Sequence, residues 1–211
     1  MKNKESLTNE EMDFLREMMN VGVGNAAGAF SQMLNCPVDV NIPEIYIFPA
    51  SNIPSFLKDP AKSFATVSMN MVGDVKGKLF FLVPDEKKER LIEIVGNASP
   101  GGGNKGGVEV DVSALEELGN ILAGVFLVAI HDFCKLNIYH SVPDLRADMF
   151  QALIDESIAA EIRESSQIIL TVSTFIIIGE NIKTFFLLIP DMKSTRKLLN
   201  SISDARKQMY E

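Results

Sequence analysis

The stretch Asp13-Phe14-Leu15-Arg16-Glu17-Met18-Met19-Asn20-Val21-Gly22-Val23-Gly24 returns one hundred positions later as Ser113-Ala114-Leu115-Glu116-Glu117-Leu118-Gly119-Asn120-Ile121-Leu122-Ala123-Gly124. Its polar members keep their places. Asp13 becomes Ser113, while Glu17, Asn20 and Gly24 recur as Glu117, Asn120 and Gly124. A proline follows each copy at the same distance, Pro43 in the first and Pro143 in the second. Structural repetition needs only apolar residues, so a repeat that also preserves a carboxylate and an amide points to a duplicated site.

Helix signals surround the first copy. Thr8-Asn9-Glu10-Glu11 fits a capping box, in which Thr8 accepts from the backbone and Glu11 reaches back. A helix is expected over Asn9 to Leu34, with Phe14, Met18, Val21 and Ala29 as its apolar stripe and Pro37 beyond its end. Strand-like alternation follows through Val38 to Phe48, then an irregular segment around Pro54 to Pro60. Ala65 to Val72 and Lys78 to Val83 flank a glycine-punctuated turn, Gly73 to Gly77, and read as a hairpin. A further helix is expected to start near Pro84.

Ser99 to Gly107 is rich in glycine and reads as a linker, after which the programme restarts. A helix is expected from Asp111 to Leu136, capped by Asp111 or by Ser113 with Glu116, and a strand over Asn137 to Ser141. Asp148 to Glu164 reads as an extra helix. Ile168 to Ile178, a turn at Gly179-Glu180-Asn181 and Thr184 to Ile189 then repeat the hairpin, ending in Pro190-Asp191 where the first half has Pro84-Asp85. The expected fold class is α+β: internally duplicated α-β-β-β-α units, about 8–98 and 108–203, joined through 99–107. Halves this small expose much of their core alone, so they are expected to form one pseudo-twofold domain over 1–211, with two long signature helices against antiparallel sheet.

Bulk properties narrow the function. Apolar residues make up 46% and charged residues 23%, a globular balance that argues against a disordered or membrane-embedded chain. A net charge of -8 opposes broad nucleic-acid binding, which needs clustered Lys and Arg. The runs Ile168 to Ile178 and Phe185 to Ile189 are too short to cross a bilayer, and Met1 to Asn9 lacks the apolar core of a signal peptide. Cys36 and Cys134 have no paired spacing, so free thiols in a cytoplasmic protein are expected. The two histidines, His131 and His140, lack metal-site spacing and read as surface or packing residues.

At roughly 100° of turn per residue, Asp13, Glu17, Asn20 and Gly24 share one ridge of their helix, and Ser113, Glu117, Asn120 and Gly124 the equivalent ridge. Glycine inside a helix costs about 0.5 to 1 kcal/mol relative to alanine. Gly22, Gly28 and Gly119 read as close helix packing. Gly24 and Gly124 read as leaving the neighbouring amide proud on a low surface that another protein can approach.

No Ser-His or Cys-His pair suggests an activated nucleophile. An Asn side chain can nonetheless hold a water in line with a phosphorus atom, because phosphoryl transfer is mainly positioning plus charge stabilisation. A Glu one turn earlier could clamp a partner's lysine. Gly22-Val23-Gly24-Asn25 lacks the Gly-Lys-Ser/Thr ending of a phosphate loop, so a phosphate substrate would bring its own metal and electrophilic groups. A single Glu-x-x-Asn would be an ordinary solvated helix face; the second copy argues against that reading. The prolines fit places where a strand begins or turns.

These residues resemble the CheC/CheX/FliY family of chemotaxis phosphatases, whose signature is Asp or Ser, three residues, Glu, two residues, Asn, and a Pro about twenty-two residues beyond. Asn20 to Ala27, Glu117 to Gly124, Pro143-Asp144 and Asp148-Met149-Phe150 extend the similarity over nearly the whole chain. The resemblance implies that the substrate is the phosphorylated response regulator CheY, which carries the aspartyl phosphate and Mg2+, so that no cofactor of the chain's own is implied. It also implies that Asn20 and Asn120 enter the receiver site and orient water, while Glu17 and Glu117 pair with the receiver's lysine. Asp13 and Ser113 would support the Glu or the helix start. Family members also bind the receptor deamidase CheD, for which Asp148 is the candidate contact. Two signatures in one chain depart from CheX, and no appended flagellar-switch domain of the FliY kind is evident. The competing expectation is a non-catalytic adaptor, binding a CheD-type deamidase or flagellar-switch components through the same helices.

Overall fold

The computed structural model describes residues 7–41, 43–49, 63–98, 108–149, 167–177 and 179–210. Helix α1 spans Asn9–Leu34, and its capping box is formed as expected: the Thr8 backbone N–H donates to Glu11 Oε2 at 2.8 Å and the Glu11 N–H to Thr8 Oγ1 at 3.3 Å. Strands β1 (Val38–Val40) and β2 (Glu44–Pro49) follow. The single strand expected over this stretch is broken just before Glu44 by Pro43, whose missing N–H cannot serve a ladder. Then come β3 (Ser63–Gly73), β4 (Gly77–Pro84) and α2 (Asp85–Ala98), so the helix starts beside Pro84 as expected, with Pro84 itself the last residue of the strand.

The second half contains α3 (Val108–Cys134), β5 (Ile138–His140), β6 (Asp144–Met149), β7 (Gln167–Ile177), β8 (Glu180–Pro190) and α4 (Met192–Tyr210). Helix α3 begins ahead of both expected caps, so Asp111 and Ser113 stand inside it. Asp148 and Met149 lie on β6, paired with β3, and not on a helix. The rest of that expected helix, the Pro54 to Pro60 segment and the Ser99 to Gly107 linker lie outside the described residues.

The strands form one antiparallel sheet in the order β1-β7-β8-β4-β3-β5, with β2 also on β7 and β6 also on β3. The halves therefore exchange edges: β1 and β2 pair with the second hairpin, β5 and β6 with the first. The registers correspond, with Val38 opposite Ile177 as Ile138 is opposite Gly73, and Glu44 opposite Val172 as Asp144 is opposite Ser68. At the centre, β4 meets β8 with Phe80 opposite Leu187 and Phe81 opposite Phe186.

Alternation along the strands builds two cores. Ala65, Val67, Met69, Leu79 and Phe81 face the helices and join Leu15, Met18, Leu118, Phe126 and Ile130. Phe64, Phe80, Leu82, Ile168, Leu170 and Leu187 form a second buried cluster on the other face, which is why the hairpins read as nearly continuous apolar runs. Each such side chain contributes about 1.5 to 3 kcal/mol when buried. Within α3, Ser113–Cys134 is long and apolar enough to span a bilayer by composition, a stretch that the shorter strand runs overshadow in the sequence. Here its buried positions belong to the helix-side core.

Helices α1 and α3 pack antiparallel. The Phe14 and Phe133 rings meet edge to face at 5.7 Å, Cys134 Sγ lies 4.0 Å from Met18 Sδ, and a Cβ on Gly22 would sit 3.4 Å from Ala129 Cβ. Both helices end on a left-handed residue, Asn35 at φ 49° and Lys135 at φ 55°. Beside these ends, the Ser31 hydroxyl donates to the Cys36 carbonyl at 2.8 Å, and His131 Nδ1 lies 3.1 Å from the Leu136 carbonyl oxygen.

Candidate functional site

The expected ridges stand on the outer surface of the helix pair. Asp13, Glu17, Asn20 and Gly24 are all exposed on α1; Ser113 and Glu117 are exposed and Asn120 and Gly124 half-buried on α3. Val21, expected in the apolar stripe, is 44% exposed instead, and Leu15, Met19 and Val23 take the buried positions. Neither the Asn20 nor the Asn120 side-chain amide has a hydrogen-bond partner among the described residues. With α1 and α3 antiparallel and Gly22 level with about residue 127, the two amides are separated by about nine residues of helix, roughly 14 Å along the axis.

The glycines divide by environment. A Cβ on Gly119 would lie 2.8 Å from Val67 Cγ1, and Gly22 abuts Ala129, so these two serve close packing. Gly28 does not: nothing lies within 4 Å of a Cβ there, and its expected packing role is not met. The same open space lies over Gly24 and Gly124, which leaves a low surface one turn beyond each amide.

Pro43 immediately precedes β2 and is buried; Pro143 immediately precedes β6 and is half-buried. Each turns the chain into the strand that crosses to the opposite hairpin. Asp148 is placed on β6 opposite Phe64 of β3.

The two carboxylates differ in company. Tyr210, on the last turn of α4, donates its hydroxyl to Glu17 Oε2 at 2.6 Å, while Glu117 has no partner among the described residues. The bond to Glu17 raises the Tyr210 phenol above its ordinary value. Asp13 accepts from Arg16 Nη1 at 2.6 Å. The contact with Tyr210 has no local signal in the sequence, since the partners are 193 positions apart.

Beside Gly124 a groove of about 510 Å³ runs between α3 and β5, lined in part by Val128, His131, Ile138, Tyr139 and His140. Among the described residues no three His, Cys, Asp or Glu side chains converge as metal ligands. Cys134 is buried and free, its thiol pushed up to about 12 by burial, and Cys36 is half-buried and free.

The antiparallel sheet thus lies under a helix pair that carries a Glu and an Asn on the outer ridge of each helix. The sequence model of the CheC-like family matches residues 112–145, which carry the second signature. Over 193 residues, 90% of this chain and 92% of the other, the protein is 35% identical to the CheY-P phosphatase CheC of Bacillus subtilis strain 168. It belongs to the CheC-like family. Among solved structures, Thermotoga maritima FliY shares the fold at a TM-score of 0.73 and 17% identity, over 94% of this chain and 98% of that one. The CheX-CheY-BeF3-Mg2+ complex of Borrelia burgdorferi matches at a TM-score of 0.51 and 14% identity, over 81% and 96%.

Proposed function

We propose that the protein hydrolyses the aspartyl phosphate of a CheY-type response regulator. The observation that carries this reading is the paired presentation of Glu17 with Asn20 and Glu117 with Asn120, exposed or half-buried, with both amides unpartnered among the described residues. Identity to a CheY-P phosphatase over most of both chains supports the substrate class.

In this mechanism Asn20 or Asn120 enters the receiver's phosphorylated site and holds a water in line with phosphorus. The water's oxygen bonds to phosphorus as the bond to the aspartyl oxygen breaks, releasing inorganic phosphate and the free carboxylate. Glu17 or Glu117 accepts the receiver's lysine, fixing the docking register through a charge-assisted contact. The receiver supplies Mg2+. The open surface over Gly24 and Gly124 lets the partner approach close to each helix.

The test is the decay of a phosphorylated CheY-type receiver, followed with Asn20→Ala, Asn120→Ala and the double variant. Each single variant is expected to retain part of the acceleration, and the double variant to leave only the receiver's intrinsic decay. An undiminished rate in the double variant would overturn the mechanism.

A further inference from the structure

We propose that Tyr210 is a positioning residue for Glu17, holding one carboxylate oxygen so that the other is presented to the partner's lysine. The inference rests on the role proposed above for Glu17. Its ground is a strap at the end of α4. Leu198, Leu199, Ile202 and Ala205 are buried and seat that helix in the core. One turn before Tyr210, Arg206 Nη2 meets Glu10 Oε2 at 2.6 Å, and the Tyr210 ring stands edge-on to Phe14 with centroids 6.4 Å apart. The phenol is thereby aimed along α1, and it reaches Glu17 Oε2 at 2.6 Å.

An exposed Glu ordinarily samples many rotamers, and ordering it on binding has an entropic cost. A hydroxyl donating to the carboxylate removes much of that freedom in advance and leaves Oε1 available, which is preorganisation of a binding group. The second site has no such device among the described residues: the Glu117 carboxylate is unpartnered there.

Tyr210→Phe keeps the ring on Phe14 and removes only the hydroxyl. In a chain carrying Asn120→Ala, where the first site alone works, it is expected to raise KM for the phosphorylated receiver about three- to tenfold with kcat within about twofold. In a chain carrying Asn20→Ala it is expected to change neither. An unchanged KM at the first site, a fall in KM, or equal rises at both sites would overturn the proposal. Failure of the phosphatase reading shows itself differently, as full activity in the double Asn variant. Spectrophotometric titration separates the two failures. Glu44 raises the Tyr46 phenol as Glu17 raises that of Tyr210. If the contact exists, Glu17→Gln therefore returns one raised phenol toward the ordinary tyrosine range and leaves the other raised; with no such return, the positioning proposal fails whatever the turnover.

Discussion

A Cβ placed on Gly119 would lie 2.8 Å from Cγ1 of Val67, so α3 rests bare backbone on a β-branched side chain of β3. Val67 is buried and stiff at χ1, and cannot swing aside. Gly119→Ala is expected to cost about 1 to 3 kcal/mol by overpacking, outweighing the ~1 kcal/mol gained in helix propensity. Urea unfolding measures the loss, and Val67→Ala in the same chain should restore part of it. Because Gly119 sits between Glu117 and Asn120, the displaced helix should also slow dephosphorylation in an Asn20→Ala background.

Gly24, Gly28 and Gly124 behave oppositely, since each has open space where a Cβ would go. Alanine at any of them is expected to stabilise by about 0.5 to 1 kcal/mol, a rise in Tm of about 1 to 4 °C. Phospho-receiver decay should distinguish them. Gly28→Ala leaves the rate unchanged, whereas Gly24→Ala and Gly124→Ala slow it by raising the surface beside the amide.

Asp74, in the turn between β3 and β4, accepts Lys197 Nζ at 2.7 Å and the Asn137 N–H at 2.8 Å. Lys197 first, and Asn137 second, hold its carboxyl below the ordinary value. A carboxylate with a depressed folded pKa adds stability above the unfolded pKa and loses it as pH falls through the folded one. Asp74→Asn is therefore expected to unfold at lower urea than the parent at pH 7. The gap should narrow below pH of about 4, toward the depressed folded value. A gap independent of pH would contradict the assignment.

Thiol reactivity should separate the two cysteines. Burial raises the Cys134 thiol to about 12, so almost none is thiolate near neutrality, while Cys36 is half-buried on the chain following α1. One fast and one slow equivalent are expected with a chromogenic disulfide reagent, both becoming fast in denaturant. Cys36→Ser should abolish the fast phase alone.

Local signals carried much of this structure. The start of α1 followed from Thr8 and Glu11, because a capping box is closed within four residues. The ridges followed from helical angle alone, and the hairpins from apolar runs between glycines. Where the outcome depended on distant chain, sequence reading failed. Asp148 and Met149 lie on a strand because β3 offers a partner about 85 positions away. Gly28 has no neighbour because the helix crossing lies nearer Gly22, and helix spacing does not locate a crossing. The Tyr210 contact depends on where α4 docks, which no motif in α4 announces.

The exchange of strands between hairpins sets a timetable for synthesis. Val38 pairs with Ile177, about 140 residues further on, so the first edge strands emerge from the ribosome on the order of ten seconds before their partner exists. During that interval the nascent first half has a hairpin without its flanking strands and a pair of flanking strands without a hairpin. The chain thus reaches its finished form late and all together, and neither amide is set in its final frame until the last hairpin has closed.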